Sequence, residues 1–511
     1  MRRALSILIF FFAVRAINAT TYYISPSGSD SNSGTSSGSP WKTFAHAFPI
    51  LAPGDTLLLE NGTYQPGTGT GFPNITCGSG GIVNGTVGNP ITIQAQNERQ
   101  AWIKGDGSAE PFQMHSCSYW NVVGLHVSDI DDAVQHENDG TFAVYNSSNL
   151  LIRRNIVDHN NRCFNLNGMV LLGTTNSIIE ENEFYYFHRW AFSINNSGST
   201  GNNEVRRNYS NSRKYFTASN STCTTYGFGS VDLGAYNSNS NIFENNIGEN
   251  TSDYGESAEN ASSNNTFLGS VELNSSSSSF RTTPHTNTTV NSNNSFINDV
   301  SISAASAHFW LRGGFNVTID HGSMFGGTAV MGVGLNPSGT TAVYSVHTSN
   351  TQAVNLTNGS SGAFFEDRTI APNGGSWSHD HDNNYNNATT YNANTNVTSP
   401  LALNPSVGTC YLWVPDASPL KGKASDGGDV GANVLYQYLG GKLTTNELWD
   451  TTTGSPLFKG ATVGGLNDVA GSSLFDIANR LNINQNGCSF PSVYGAATAV
   501  AAPTGLTATV N

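Results

Sequence analysis

Cations are scarce in this chain. Lysine and arginine supply 22 of 511 residues against 36 aspartates and glutamates, for a formal net charge of −14. That balance excludes nonspecific affinity for nucleic acid, and any anionic ligand must be held by a local cationic patch. Beyond the first twenty residues no apolar run approaches the roughly 18 residues that a membrane-spanning helix requires, so no membrane span is expected. None of the 6 cysteines stands in a C-x-x-C pair, which removes the usual zinc signature. Residues that favour helix interiors are sparse, and the turn signals of antiparallel hairpins are few, against an immunoglobulin-like sandwich.

What is present begins with MRRALSILIFFFAV, where Arg2 and Arg3 precede an apolar run that ends near AINA. This is the layout of an export signal, so residues 1–19 are expected to be a signal peptide and the protein to be secreted, to the medium or the cell surface. Cysteines in an exported chain permit disulfides, and proximity favours Cys77–Cys117 and Cys163–Cys223.

Four segments superpose without gaps: NLLIRRN (149–155), NSIIEEN (176–182), NNEVRRN (202–208) and NSNIFEN (239–245). Their starts differ by 27, 26 and 37 residues, the period of solenoid coils. The fourth place holds Ile152, Ile179, Val205 and Ile242, and the last holds Asn155, Asn182, Asn208 and Asn245. An aliphatic residue once per coil builds an axial core, and stacked Asn amides hydrogen-bond from coil to coil at a turn that tolerates left-handed backbone. The fold class expected is all-β, a right-handed parallel β-helix over 20–433, with a C-terminal extension over 434–500. Residues 501–511, with AAPTGLTATVN, read as a linker or the start of a fibronectin type III-like module.

The opening YYISPSGSDSNSGTSSGSPWKTFAHAFPILAPGDTLLLENGTY resembles the N-terminal cap and first coil of secreted right-handed parallel β-helix proteins of the pectate-lyase-like superfamily. SPLKGKASDGGDVGAN (418–433) resembles the segment that often ends such domains. The resemblance speaks for the fold more than for any activity.

The repeat sorts the charges. At its sixth place stand Arg154, Glu181, Arg207 and Glu244, and at its fifth Arg153, Glu180 and Arg206. With strands about 4.8 Å apart, each Arg falls between carboxylates in a surface ion ladder worth about 0–1 kcal/mol per pair, which marks these residues as scaffold. Six and seven places beyond the ladder Asn the pattern differs. Asn161 and Arg162, His188 and Arg189, then Lys214 and Tyr215 follow on successive coils, with Arg213 one place earlier. Persistent register brings these cations to one corner, with His159, Tyr186, Trp190 and Tyr215 close by. The long third interval places an insertion within 212–230, a loop beside that corner.

Arg forks bind carboxylates and aromatic faces lie against sugar rings, so the partner expected is an acidic polysaccharide. The resemblance implies β-elimination, in which a Lys or Arg removes the C5 proton of a uronate and Ca²⁺ neutralises its carboxylate. It makes Lys214 or Arg213 the base, His188 and Arg189 proton donors or binders, and Arg162, Trp190, Tyr186, Tyr215 and His159 further contacts. For Ca²⁺, SDIDDAVQHEND offers Asp129, Asp131, Asp132, Glu137 and Asp139, hard oxygen ligands in a spacing that is not the EF-hand loop; a solvated acidic turn is the plain alternative. The chain lacks the DDG-type motif of Lys-base pectate lyases. The strands GMVLLG and WAFSI also lack the Lys and Arg pair of alginate and chondroitin lyases with this fold.

Two other functions fit the same fold. A glycoside hydrolase needs two carboxylates, which Asp232 with Asp253 or Glu256 could supply. A non-catalytic adhesive protein needs only the Asn/Ser/Thr-rich faces. SHDHDNN (378–384) could hold a transition metal through His379 and His381, although a solvated loop explains it as well. A monomer is expected.

Overall fold

The computed structural model describes residues 19–491 apart from 108, 130–139, 159–166, 188, 213–229, 284–290, 312–313, 334–344, 355–375, 387–395, 406–409, 458–473 and 486. The expected signal segment, the expected Cys163–Cys223 pair and the fibronectin-like tail lie outside the described residues. Three parallel sheets dominate the rest. The first has 14 strands, from Thr21–Ile24 to Asn396–Thr398; the second has 12, from Gly62–Tyr64 to Asn383–Tyr385; the third has 10, from Asn74–Thr76 to Ala329–Val333. One coil visits them in turn, as in Leu151–Arg153, Ile156–Asp158 and Asn167–Leu172, before the next begins at Ile178–Glu180. This is the parallel β-helix that the repeat predicts.

The inward column of the first sheet runs Ile93, Val122, Ile152, Ile179, Val205, Phe243, Phe267 and Phe296. All are buried, and Phe243, Phe267 and Phe296 stack at 4.7 Å between centroids. Here the structure corrects the sequence alignment by one residue. Val205 pairs with Phe243, not Ile242, and the ladder partner of Asn208 is Asn246, not Asn245. A gapless fit cannot see that slip, because the segment carries an apolar pair (Ile242, Phe243) and an Asn pair (Asn245, Asn246). Burial of the larger ring decides which member faces inward.

The ladder itself forms as expected. The Asn155 side-chain amide donates to Asn182 Oδ1 at 3.0 Å, Asn182 to Asn208 at 3.0 Å, and Asn208 to Asn246 at 3.1 Å. The left-handed backbone belongs to the residue before each ladder Asn: φ is 59° at Arg154, 56° at Glu181, 52° at Arg207 and 51° at Asn245.

The chain beyond the last coil strand turns back along the solenoid. Gly431 N–H donates to Asn350 O, Asn433 N–H to Asn298 Oδ1, and, meeting a still earlier coil, Tyr438 N–H to Asn245 Oδ1 and Gly441 N–H to Glu244 Oε1. An antiparallel hairpin, Tyr436–Leu439 with Lys442–Glu447, belongs to this strap. Leu412, Trp413, Leu435, Trp449 and Ile477 cover Tyr185, Tyr209, Ile247, Val271 and Phe325 on the outer face of the second sheet. Disulfides join Cys77 to Cys117, as expected, and Cys410 to Cys488 within the strap. The strap therefore seals the second sheet's outer face. It also meets the ion ladder at Glu244, and the ladder is not a surface feature: Glu180, Glu181 and Arg207 are all buried.

His321 ties strap to coil. It stands 3.0 Å from Asp320 and 3.6 Å from Asp426 of the strap. Burial disfavours the charged imidazole, but the two carboxylates outweigh it and raise the His321 pKa. A raised histidine contributes stability fully present below its unfolded pKa of about 6.5, lost as pH rises through the folded value. Melting of the wild type is expected to fall, relative to His321→Gln, as pH increases from 6 to 8; parallel profiles would show that the pair does not hold the strap.

Candidate functional site

The third sheet presents its outer face through three columns. Trp190, Val231 and Tyr254 align at the strand starts. Ser193, Gly234, Ser257, Arg281 and Trp310 align at the centre, and Tyr236, Glu259 and Thr283 beside the turn to the first sheet. A Cβ on Gly234 would stand 2.7 Å from Trp190 Cζ3 and 2.3 Å from Ser257 O. Glycine there lets the indole lie across the neighbouring coil, where it meets Tyr236 edge-on at 6.5 Å.

Cations sit on these rings. The Arg189 guanidinium is 5.8 Å from the Trp190 centroid, and that of Arg281 is 3.5 Å from the Tyr254 centroid. Arg281 also pairs with Glu259 at 3.3 Å. Arg189, Tyr236, Asp253, Tyr254, Arg281 and Trp310 are half-buried, while Trp190 and Glu259 are buried beneath them. Burial raises the Asp253 carboxyl, with Arg281 opposing, Glu259 reinforcing and Arg189 opposing. Burial also raises the Tyr254 phenol against the pull of Arg281, and the Tyr236 phenol with Glu259 adding to the rise. A half-buried face with guanidinium forks, aromatic rings and two carboxylates can orient a sugar ring and bind its acid group.

Residues 22–255 match the family model described as the Pel9A-like right-handed β-helix region, which takes in the strands of Trp190, Tyr236 and Tyr254. Over these residues the chain is similar to that family, and its fold is a right-handed parallel β-helix. Among solved structures, this β-helix is similar to pectate lyase Pel9A at 15% identity and a TM-score of 0.45, covering 81% of this chain and 95% of that one. It is similar to the alginate lyase AlyGC at 12% identity and a TM-score of 0.49, covering 81% and 57%. It also resembles a lacto-N-biosidase from Eubacterium ramulus at 13% and 0.42, covering 62% and 65%. Among curated proteins it is 28% identical over 142 residues to the uncharacterized protein YwoF of Bacillus subtilis (strain 168), a match that spans 26% of this chain and 27% of that protein.

Of the residues expected at the cationic corner, the β-helix brings Arg189 and Trp190 to this face. Tyr186 does not join them: it is buried in the cluster beneath the strap, on the side of the second sheet. His159, Arg162, His188, Arg213, Lys214 and Tyr215 lie outside the described residues. The corner also differs from the expectation in holding carboxylates, Asp253 and Glu259. Tyr236, Tyr254, Arg281 and Trp310 are functional candidates that sequence reasoning missed. Their signal was a once-per-coil column in the third sheet, which the Asn repeat of the first sheet does not index.

The candidate Ca²⁺ set is described only at Asp129, buried at the end of strand His126–Ser128 with both carboxylate oxygens lacking hydrogen-bond partners. An unclaimed buried carboxylate fits a calcium ligand. Asp131, Asp132, Glu137 and Asp139 lie outside the described residues. SHDHDNN divides between inside and outside. His379 and Asp382 are buried with Thr348, whereas His381 pairs with Asp380 at the surface, so the two histidines do not share a site.

Asp232 and Glu256 cannot serve as a hydrolase pair. Both are fully buried inside the solenoid, behind the outer face of the third sheet. Glu256 takes an inward place whose partner on the next coil is Phe280, and Glu272 an inward place between Gly248 and Ser301. Together with Asp299 they form an acidic interior. Burial pushes Glu256 up to about 8 and holds Asp232, Glu272 and Asp299 well above the carboxylate range.

Proposed function

We propose that the outer face of the third sheet binds an acidic polysaccharide and that the chain, exported, cleaves it by β-elimination. The observation that carries this reading is the pairing of Arg189 with Trp190 and of Arg281 with Tyr254 on one half-buried face, with the two rings two coils apart, in a protein of net charge −14. Sugar rings lie on the aromatic faces, while the guanidinium groups meet uronate carboxylates and make the adjacent C5 proton more acidic. Lys214 or Arg213 serves as the base. Their segment leaves the second sheet after Tyr209–Asn211 and re-enters the third at Val231–Tyr236, the coil that carries Tyr236. His188, adjacent in sequence to Arg189, is a proton donor, and Arg162, His159 and Tyr215 are further contacts. Bound Ca²⁺ would neutralise substrate charge, with Asp129 as one ligand.

Arg281→Ala is expected to weaken binding of a polyuronate by roughly 10- to 100-fold, as loss of a charged hydrogen bond implies, and to leave binding of a neutral glucan unchanged. Titration calorimetry of both glycans reads this directly. Equal affinity in wild type and variant would remove the face from the account.

A second reading has its own observation. Asp253, its carboxyl raised by burial, shares the face with Glu259, the arrangement of a general acid beside a second carboxylate. New reducing ends without unsaturated product would select this hydrolase.

A further inference from the structure

We propose that the acidic interior of the β-helix is a structural binding site for a hard divalent cation, with Ca²⁺ as its ion, held by Asp232 and Glu272. The carboxylates converge over a gap in the wall. Asp232 Oδ2 lies 2.4 Å, and Glu272 Oε1 and Oε2 each 2.5 Å, from the place a Cβ on Gly248 would take. Glycine at 248 thus leaves the space in which three carboxylate oxygens from two coils face one another. A Cβ on the neighbouring Gly255 would stand 2.4 Å from Glu272 Oε2. Larger residues in either position would close the gap.

Asp232 and Glu272 are close enough to share a proton with each other, and beyond such contacts these oxygens have few partners. Asp232 Oδ1 accepts from Ser210 Oγ at 2.7 Å, but Asp232 Oδ2 and both oxygens of Glu272 and of Glu256 are fully buried and make no hydrogen bond of good geometry. The Ser270 hydroxyl, close enough to Glu256 to lower its pKa, is buried with no other hydrogen-bond partner. The other titratable groups near are Glu249 (paired with Arg480), Asp299, and His308, whose pKa burial lowers to about 4. Hard anionic oxygens and hydroxyls are ligands for Ca²⁺, which accepts irregular spheres of 6–8 oxygens. Among the described residues no three His, Cys, Asp or Glu side chains are close enough to hold a metal unaided. The sphere is therefore two carboxylates completed by water and by hydroxyls such as Ser210, and Glu256 supplies further negative charge nearby.

The ion would lie behind the strands that carry Tyr236, Tyr254 and Arg281, bracing the candidate site from within. It is separate from Asp129 and from any ion that meets substrate.

The test uses the full-length secreted protein. Metal content is measured by mass spectrometry after gel filtration, and melting is followed in EGTA and after restoring CaCl₂ or MgCl₂. Chelation is expected to lower the melting midpoint by roughly 5 °C, with recovery in CaCl₂ and less in MgCl₂. Asp232→Asn/Glu272→Gln, which keeps the shapes and removes the charges, is expected to carry one ion per chain fewer and to melt independently of EGTA; Asp129→Asn should retain both the interior ion and the EGTA shift. Wild-type protein that is free of metal and insensitive to EGTA would overturn the proposal, even if the double variant failed to fold. So would a folded double variant with wild-type ion content. Neither result depends on glycan binding.

Discussion

Glu180→Ala is expected to destabilise the protein by about 3–5 kcal/mol, the range for uncovering buried charge by removing its partner. Glu180 is the hub of three guanidinium groups: Arg153 at 3.1 Å, Arg206 at 2.7 Å and Arg207 at 2.8 Å. Burial works to raise its carboxyl, and Arg206, Arg207 and Arg153 together outweigh burial and lower it. On the surface such a ladder would contribute about 0–1 kcal/mol per pair; inside, the loss of one member leaves Arg207, itself buried, without its 2.8 Å contact. Because the folded pKa is depressed, the contribution is present above the unfolded value near 4.3 and is lost as pH falls through the folded one. Urea unfolding at pH 7 and pH 3.5 measures both effects. A loss under 1 kcal/mol at pH 7 would return the ladder to the surface class.

Lys214→Ala is expected to lower turnover of a uronate glycan by roughly 10²- to 10⁴-fold, the usual worth of a positioned general base, with little change in affinity. Arg213→Ala should then have the smaller effect. Arg281→Ala is expected to show the complementary pattern, weaker binding with the elimination step retained, because Arg281 lies over Tyr254 on the binding face. Separate measurement of kcat and KM distinguishes the two roles. If Arg213→Ala alone abolishes turnover, the base is the arginine.

The repeat of Asn155, Asn182 and Asn208 was enough to specify the solenoid, because each ladder amide must find its copy one coil away to avoid a buried unsatisfied group. Register could be read to within one residue: Ile242 and Phe243 are both apolar, and only the packing of Phe243 on Phe267 separates them. The charge alternation of Arg153, Glu180 and Arg206 was legible as pairing but not as burial, and the strap that meets the same ladder at Glu244 arrives from the far end of the sequence. The site was half legible. Arg189 and Trp190 stood out as a cation beside a ring in a cation-poor chain, whereas Tyr254 and Arg281 are 27 residues apart and meet only through the register of the third sheet. Asp232 and Glu256 looked like surface acids in sequence, because strands of this sheet alternate poorly at the corner and place adjacent residues such as Ala191 and Phe192 both inside.

The face of Arg189, Trp190, Tyr254 and Arg281 is proposed to turn over an acidic glycan by elimination. Purified protein is incubated with a panel of uronate-containing and neutral glycans, with and without Ca²⁺, and absorbance of the unsaturated product is followed beside the release of reducing ends. The account predicts unsaturated product from at least one uronate glycan and none from neutral glycans, lost in Lys214→Ala and needing more substrate in Arg281→Ala. Absence of unsaturated product from every uronate glycan, or product formation unchanged in both variants, would contradict it.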